Sequence, residues 1–299
     1  MAAPERAGVA LPAFALVFNA LVWGISWWPF RELQGHGLHP LWATAGIYLV
    51  SAALLLAARP RAWRSFREQP LLWLLVAAAG LTNVGFNWGV TVGDVVRVVL
   101  LFYLMPGWSV LLAWAILGDR PTRPALLRLL LAFAGLLIVV LPADMRWSAA
   151  ALRFSLADTL ALVGGISFAL TNVMLRRLGD TPSEARMVAM FGGGALAALG
   201  AAGIGLLNGT IAAVPPVTIY WAVVASCLAL AFMAGNFALQ YAASRLAAGT
   251  TALVMLTEVV FASVSSVLLG SATLDARTLT GGALIVLAAL LASLPLKKR

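Results

Sequence analysis

The chain has 299 residues, 62% of them hydrophobic and 10% charged, with a mean hydropathy of +0.97. A soluble domain carries about 25% charged residues, so these figures exclude an ordinary soluble fold and describe an all-α polytopic membrane protein. The net charge of +9 would suit nucleic acid or anionic lipid, but the placement of the charges gives it another role and argues against nucleic acid.

Ten apolar segments run along the chain, at roughly 11–31, 40–58, 70–90, 96–117, 125–142, 155–175, 185–207, 217–241, 246–269 and 278–296, each long enough to cross a bilayer as a helix. The first follows Arg6 and continues to Phe30 without a small-residue cleavage site, so it is expected to be a retained helix. With the N-terminus inside, the outer Lys and Arg residues are Arg31, Arg97, Arg146, Arg153 and Arg277, and all the others fall inside. That bias follows the positive-inside rule and predicts cytoplasmic termini and a location in the cell (inner) membrane. The single cysteine, Cys227, rules out an intrachain disulfide and a cysteine-cluster metal site. His36 and His39 have too few partners to hold a metal, so no cofactor or metal is expected.

The fourth segment, Asp94 to Asp119, carries Pro106 in its middle. An interior proline removes one backbone hydrogen bond and clashes with the carbonyl four residues back. Pro106 is therefore predicted to kink a single helix, either as a simple bend or because the helix lines a wet pathway.

The sequence also repeats. Ala20-Leu21-Val22-Trp23-Gly24-Ile25-Ser26 returns as Ala161-Leu162-Val163-Gly164-Gly165-Ile166-Ser167. Gly135 to Val140 returns as Gly282 to Leu287, and Leu117-Gly118-Asp119 as Leu269-Gly270-Ser271. Matches in this order lay the first five segments over the last five. Five is odd, so the second copy enters the membrane from the opposite side. The predicted architecture is ten transmembrane helices in two inverted five-helix repeats, residues 1–147 and 148–299. Such repeats are typical of secondary transporters with a substrate site near the midplane.

Several residues could line that site. Glu258 is the clearest midplane charge, and a central acid costs about 2.5–3.5 kcal/mol on insertion scales. It either meets an ammonium group or proton, or is a neutral acid bonded to neighbouring helices. Asn83 and Asn87 form one i,i+4 pair and Asn236 and Gln240 another, in segments that are repeat mates. They are candidates for a polar cavity or for interhelical bonds, and Asn172 joins the polar set. Trp23, Tyr103, Trp108 and Phe168 lie close enough to the midplane to form an aromatic wall, which suits aromatic or apolar substrates. A pairing of Arg97 with Asp94 at the outer mouth is also open.

On these residues the chain resembles the drug/metabolite transporter superfamily, in its ten-helix EamA-type branch. The resemblance rests on the small-residue stretch Gly85 to Gly93, on Pro106, and on Gly118-Asp119 where that branch has a Gly-Glu pair. The run Arg97-Val98-Val99-Leu100-Leu101-Phe102-Tyr103-Leu104-Met105-Pro106-Gly107-Trp108 is similar to YddG-type exporters of aromatic amino acids. The chain departs from the family pattern at Glu258, where the second copy would carry a proline, and at Gly270-Ser271. The resemblance implies a transporter rather than an enzyme, exporting aromatic or neutral amino acids through a central cavity by alternating access. Its expected partners are a small molecule and the lipid bilayer, and its expected state is a monomer. The alternatives are an exporter of drugs or other metabolites within the same architecture, and an intramembrane enzyme acting on lipid. The lipid enzyme is disfavoured because the segments carry no histidine and only one central acid.

Overall fold

The computed structural model describes residues 4–118, 120, 123–140, 155–243, 254–255, 257–270 and 276–293. Within them the protein is all-helical. The elements are α1 (Pro4–Ile25), α2 (Trp27–Gly35), α3 (Pro40–Ala58), a 3-10 turn (Pro60–Arg64), α4 (Ser65–Glu68), α5 (Leu71–Val92), α6 (Val95–Phe102), α7 (Met105–Leu117), α8 (Arg123–Val140), α9 (Leu156–Arg177), α10 (Ser183–Leu207), α11 (Ile219–Ala243), α12 (Thr257–Leu268) and α13 (Ala276–Ser293). Among the described residues, seven helices are long and apolar enough to cross a membrane. Large apolar side chains remain bare on the outside of the bundle, including Phe14, Leu127 and Leu207. Water would penalise such a surface, whereas hydrocarbon accepts it.

Two predicted helices are broken. The fourth segment is not one kinked helix: α6 ends at Phe102, Tyr103 and Leu104 form a turn, and Pro106 lies in the first turn of α7. A proline costs little there, because its missing N–H would have no helical partner anyway. The chain thus avoids the predicted clash with the Phe102 carbonyl by starting a new helix. The first segment breaks at Ser26, whose backbone N–H reaches back to the Trp23 carbonyl at 3.2 Å. Its hydroxyl donates to the same carbonyl at 2.8 Å. Ser26 thereby draws the chain into a tight turn, and Pro29 follows in the first turn of α2.

Glycine sets how closely the helices approach. A Cβ on Gly193 of α10 would stand 2.2 Å from the Val76 carbonyl oxygen, and one on Gly80 of α5 would stand 2.6 Å from the Gly193 oxygen. The α5–α10 seam therefore tolerates no side chain at either point. On the other face of α5, Gly85 meets Leu160 and Gly164 of α9 with the same closeness. At Gly24 and Gly165, at matching places in the repeated motif, an added Cβ would stand 2.9 and 2.6 Å from the carbonyl oxygens of Glu258 and Phe102. Gly118 and Gly270, the matching glycines after α7 and α12, both hold positive φ of 77° and 66°, the left-handed ending that glycine gives to helices. Asp119 and Ser271, which follow them, lie outside the described residues.

The core helices are α1, α3, α5, α9, α10 and α11, with α6 wedged among them. Further packing pairs are α1 with α12, α9 with α6 and α7, and α8 with α13.

Candidate functional site

A cavity of about 680 Å3, counting its mouth, opens in the middle of this bundle. Every surrounding core helix contributes to it. Trp23 comes from α1, Tyr48 from α3, Asn83 and Phe86 from α5, and Phe102 from the end of α6. Phe168 and Thr171 come from α9, Met190 and Phe191 from α10, Asn236 and Leu239 from α11, and Met255 and Glu258 from the segment at the start of α12. The walls are aromatic and interlocked. The Phe86 and Phe102 rings meet edge to face at 5.0 Å, Phe102 stacks on Phe168 at 5.4 Å, and Trp23 stacks on Phe232 behind it at 4.5 Å. Such contacts hold the rings in fixed orientations, so the cavity is a shaped slot.

Of the residues expected from sequence, Trp23, Asn83, Phe168, Asn236 and Glu258 line this space. Among the described lining residues Glu258 is the only carboxylate, ammonium, guanidinium or imidazole group, and it is 5% exposed. Tyr103 stands behind it, and its hydroxyl donates to Glu258 Oε2 at 2.9 Å. The same hydroxyl lies 3.2 Å from the carbonyl of Met255. Tyr103 therefore touches the acid rather than the cavity, and it holds the carboxyl group in place. Unwinding at Tyr103 and Leu104 turns that hydroxyl toward α12.

Asn83 faces the cavity, but its amide is already engaged. Its Oδ1 accepts from the Tyr48 hydroxyl at 2.7 Å and its Nδ2 donates to the Ala79 carbonyl at 2.8 Å. Asn87, one turn on, lies off the cavity; its Nδ2 donates to Thr44 Oγ1 at 3.3 Å, tying α5 to α3. Trp108 also lies away from the cavity, packed edge-on against Phe133 at 5.6 Å, because the break at Leu104 resets the helical phase of α7. Asn172 is exposed, 3.9 Å from the Met105 sulfur. It follows cavity-lining Thr171 by one residue, which is about 100° round the helix. Gln240 is not a lining residue; its Nε2 donates to Asn236 Oδ1 at 3.3 Å.

Tyr48, Phe86, Met190 and Phe191 escaped the sequence reading. Tyr48 had a usable signal, a phenol in mid-segment far from either membrane interface. The others are apolar residues in apolar helices, and only the packing selects them.

Charged side chains tie the helices together at one end of the bundle. Arg97 donates to both carboxylate oxygens of Asp158, at 2.7 and 3.2 Å, so it pairs across to α9. The alternative partner, Asp94, instead caps α6 by accepting from the Arg97 backbone N–H at 2.8 Å. Asp158 belongs to a capping box with Ser155, so one carboxylate both starts α9 and grips α6. Beside it Arg31 lies over the Trp27 ring at 5.2 Å and donates to the carbonyls of Val90 and Gly93, which end α5. A cation at a helix C-terminus is favourable. Among the eight residues of α6, all but Arg97 are buried. His39, at the same end, accepts from the Leu41 N–H at 3.2 Å and caps α3. Burial pushes its imidazole below the ordinary histidine range.

No curated protein matches the chain. A solved structure, described only as the crystal structure of a protein, superposes with a TM-score of 0.56 at 20% identity, covering 96% of this chain and 96% of that one. At that identity the likeness speaks for the fold alone. Residues 10–141 match the EamA-like transporter family, and it is to that family that the first part of the chain, from α1 through α8, is similar.

Proposed function

We propose that the protein is a secondary transporter that moves a small amphipathic metabolite, an aromatic or neutral amino acid, outward across the cytoplasmic membrane. The observation that carries the reading is the central cavity, with aromatic walls and one buried carboxylate, built from helices of both halves of the chain. A pocket of this kind, mostly apolar with a few placed polar groups, is what small-molecule recognition needs.

The halves are residues 1–147 and 148–299, ten transmembrane helices in all, inverted relative to one another. The pattern of packing supports this. α1 packs on α11 as α5 packs on α9, and α1 packs on α12 as α9 packs on α6 and α7. α5 packs on α10 as α11 packs on α3, and the pairs α3 with α10 and α8 with α13 join mates to each other. Exchange of the two halves maps these contacts onto themselves, as a pseudo-twofold axis would. The likeness of Gly24 to Gly165 and of Gly118 to Gly270 points the same way. The charge bias puts the termini and the end bearing Arg59 and Glu184 in the cytoplasm, and the Arg97–Asp158 end outside. Alternating access then means rocking one half against the other about the cavity. Trp23, Phe168, Phe86 and Phe102 would hold the apolar part of the substrate, and Glu258, steadied by Tyr103, its amine or a proton. The family that residues 10–141 match is a transporter family, which favours this reading over a lipid-modifying enzyme.

The test is thermal stability of the purified protein across a panel of aromatic, neutral and charged amino acids and unrelated organic cations. A ligand that binds only the folded state stabilises it by mass action, by about 2.7 kcal/mol at a hundred times its Kd, and so raises the melting point. Aromatic or neutral amino acids are expected to shift the curve and acidic ones not to. A shift by organic cations alone would replace amino acids with drug-like cations as the substrate. No shift by any amino acid, with a working positive control, would contradict the amino-acid assignment.

A further inference from the structure

A hydroxyl inside a helix normally satisfies itself by bonding to the carbonyl one turn back. This chain follows that habit repeatedly. Thr82 donates to Ala78 at 2.8 Å, Thr91 to Asn87 at 2.5 Å, and Ser51 to Ile47 at 2.9 Å. Thr171 breaks it. The residue is 1% exposed, it lines the central cavity, and its Oγ1 is buried with no hydrogen-bond partner. Leaving a buried polar group unpaired is destabilising, so a hydroxyl held this way in a cavity wall is a group that a ligand's acceptor can satisfy.

The neighbouring polar groups show what the use is. Asn83 and Asn87, the amides that sequence alone puts forward for a carboxylate, are engaged by Tyr48, Ala79 and Thr44. Glu258 repels an anion. That leaves Thr171 on α9 and Asn236 on α11, whose Oδ1 is held by Gln240 so that the nitrogen is the end left for a ligand. α9 packs on α5, α6 and α7, whereas α11 and α12 both pack on α1, so Thr171 reaches the cavity from one wall and Asn236 and Glu258 from another. We infer that the cavity is bipolar. Thr171 donates a hydrogen bond to the carboxylate of an α-amino acid, while Glu258 takes the ammonium end and the aromatic rings take the side chain. Thr171 is thus the residue that distinguishes an amino acid from the corresponding amine. This rests on the transporter reading above and adds to it the residue that selects the carboxylate.

The experiment measures equilibrium binding of labelled tryptophan and phenylalanine, and of tryptamine and phenethylamine, to the purified full chain and to Thr171→Val, Thr171→Ser and Glu258→Gln. A hydrogen bond to a charged group makes the expected loss in Thr171→Val about tenfold or more for the amino acids, with less than about threefold change for the amines on the same scale. Thr171→Ser keeps wild-type binding, and Glu258→Gln weakens both classes. Thr171→Val is also expected to melt no lower than wild type, since it deletes an unpaired hydroxyl. A hydroxyl with a structural bond would instead lower the melting point when removed. Wild-type binding of amino acids with no selective loss in Thr171→Val overturns the bipolar site and leaves the transporter reading standing. Binding of the amines alone by wild type overturns the carboxylate pole. Failure of wild type to bind any of the four overturns the amino-acid assignment itself, and the bipolar site with it.

Discussion

Single residues decide what the cavity can hold. Glu258 is buried among apolar and aromatic side chains, and its one described side-chain bond comes from Tyr103. Tyr103→Phe should leave the acid in the cavity but loosen its orientation, lowering transport severalfold, while Glu258→Gln should abolish it; initial uptake rates in proteoliposomes separate the two. The Tyr48–Asn83 bond at 2.7 Å is structural on the same reasoning. Tyr48→Phe leaves the Asn83 oxygen without its donor, and an unsatisfied buried group costs about 1–3 kcal/mol, seen as a lower melting temperature. Glu258 was legible in the sequence because a lone acid in an apolar segment stands out against its neighbours. Thr171 was legible only as one of many small hydroxyls. Ser109 also has a buried hydroxyl without a partner, and what sets Thr171 apart is its place in the cavity wall, which sequence does not record.

At the scale of elements, the seams between helices are set by glycines whose neighbours differ sharply. A Cβ on Gly192 meets nothing within 4 Å, while one on Gly193 lies 2.2 Å from a backbone oxygen. Gly192→Ala should therefore be neutral or gain up to about 1 kcal/mol of helix propensity. Gly193→Ala should force α5 and α10 apart and lower the melting temperature, and a pair of melting curves checks both. The triple-glycine run was readable as close packing, but which of the three is indispensable depends on the rotation of α10, which apolar periodicity does not fix. The same limit explains Pro106. A proline in mid-segment signals an irregularity, yet nothing local says whether the helix bends or restarts. Here a turn at Tyr103 and Leu104 resolves it and aims Tyr103 at Glu258. The bidentate Arg97–Asp158 pair joins α6 to α9. Asp158→Asn should loosen that junction, so Val98→Cys, in a Cys227→Ser background, should react faster with a membrane-impermeant thiol reagent than the same cysteine beside the native Asp158. Equal rates would show that the ion pair does not hold α6 to α9.

For the whole molecule, composition announced a helical membrane protein, and the all-helical bundle with its seven apolar spans accords with it. The proposal of two halves rests on short matching motifs, because glycines at close approaches and helix ends must be kept wherever the backbone geometry recurs. The cavity was not traceable in outline. It is assembled from residues far apart in the chain, and five of the nine expected site residues reach it; Tyr103 braces Glu258, Asn87 ties α5 to α3, Trp108 packs on Phe133 and Asn172 is exposed. If the protein works by exchange between two arrangements of its halves around this pocket, substrate movement must depend on the pocket's acid and be saturable. The direct measurement is uptake of labelled tryptophan into sealed proteoliposomes containing wild type or Glu258→Gln. The account predicts saturable uptake by wild type, inhibited by excess unlabelled phenylalanine and lost in the variant. Uptake no greater than in protein-free liposomes, or equal in the two proteins, would contradict it.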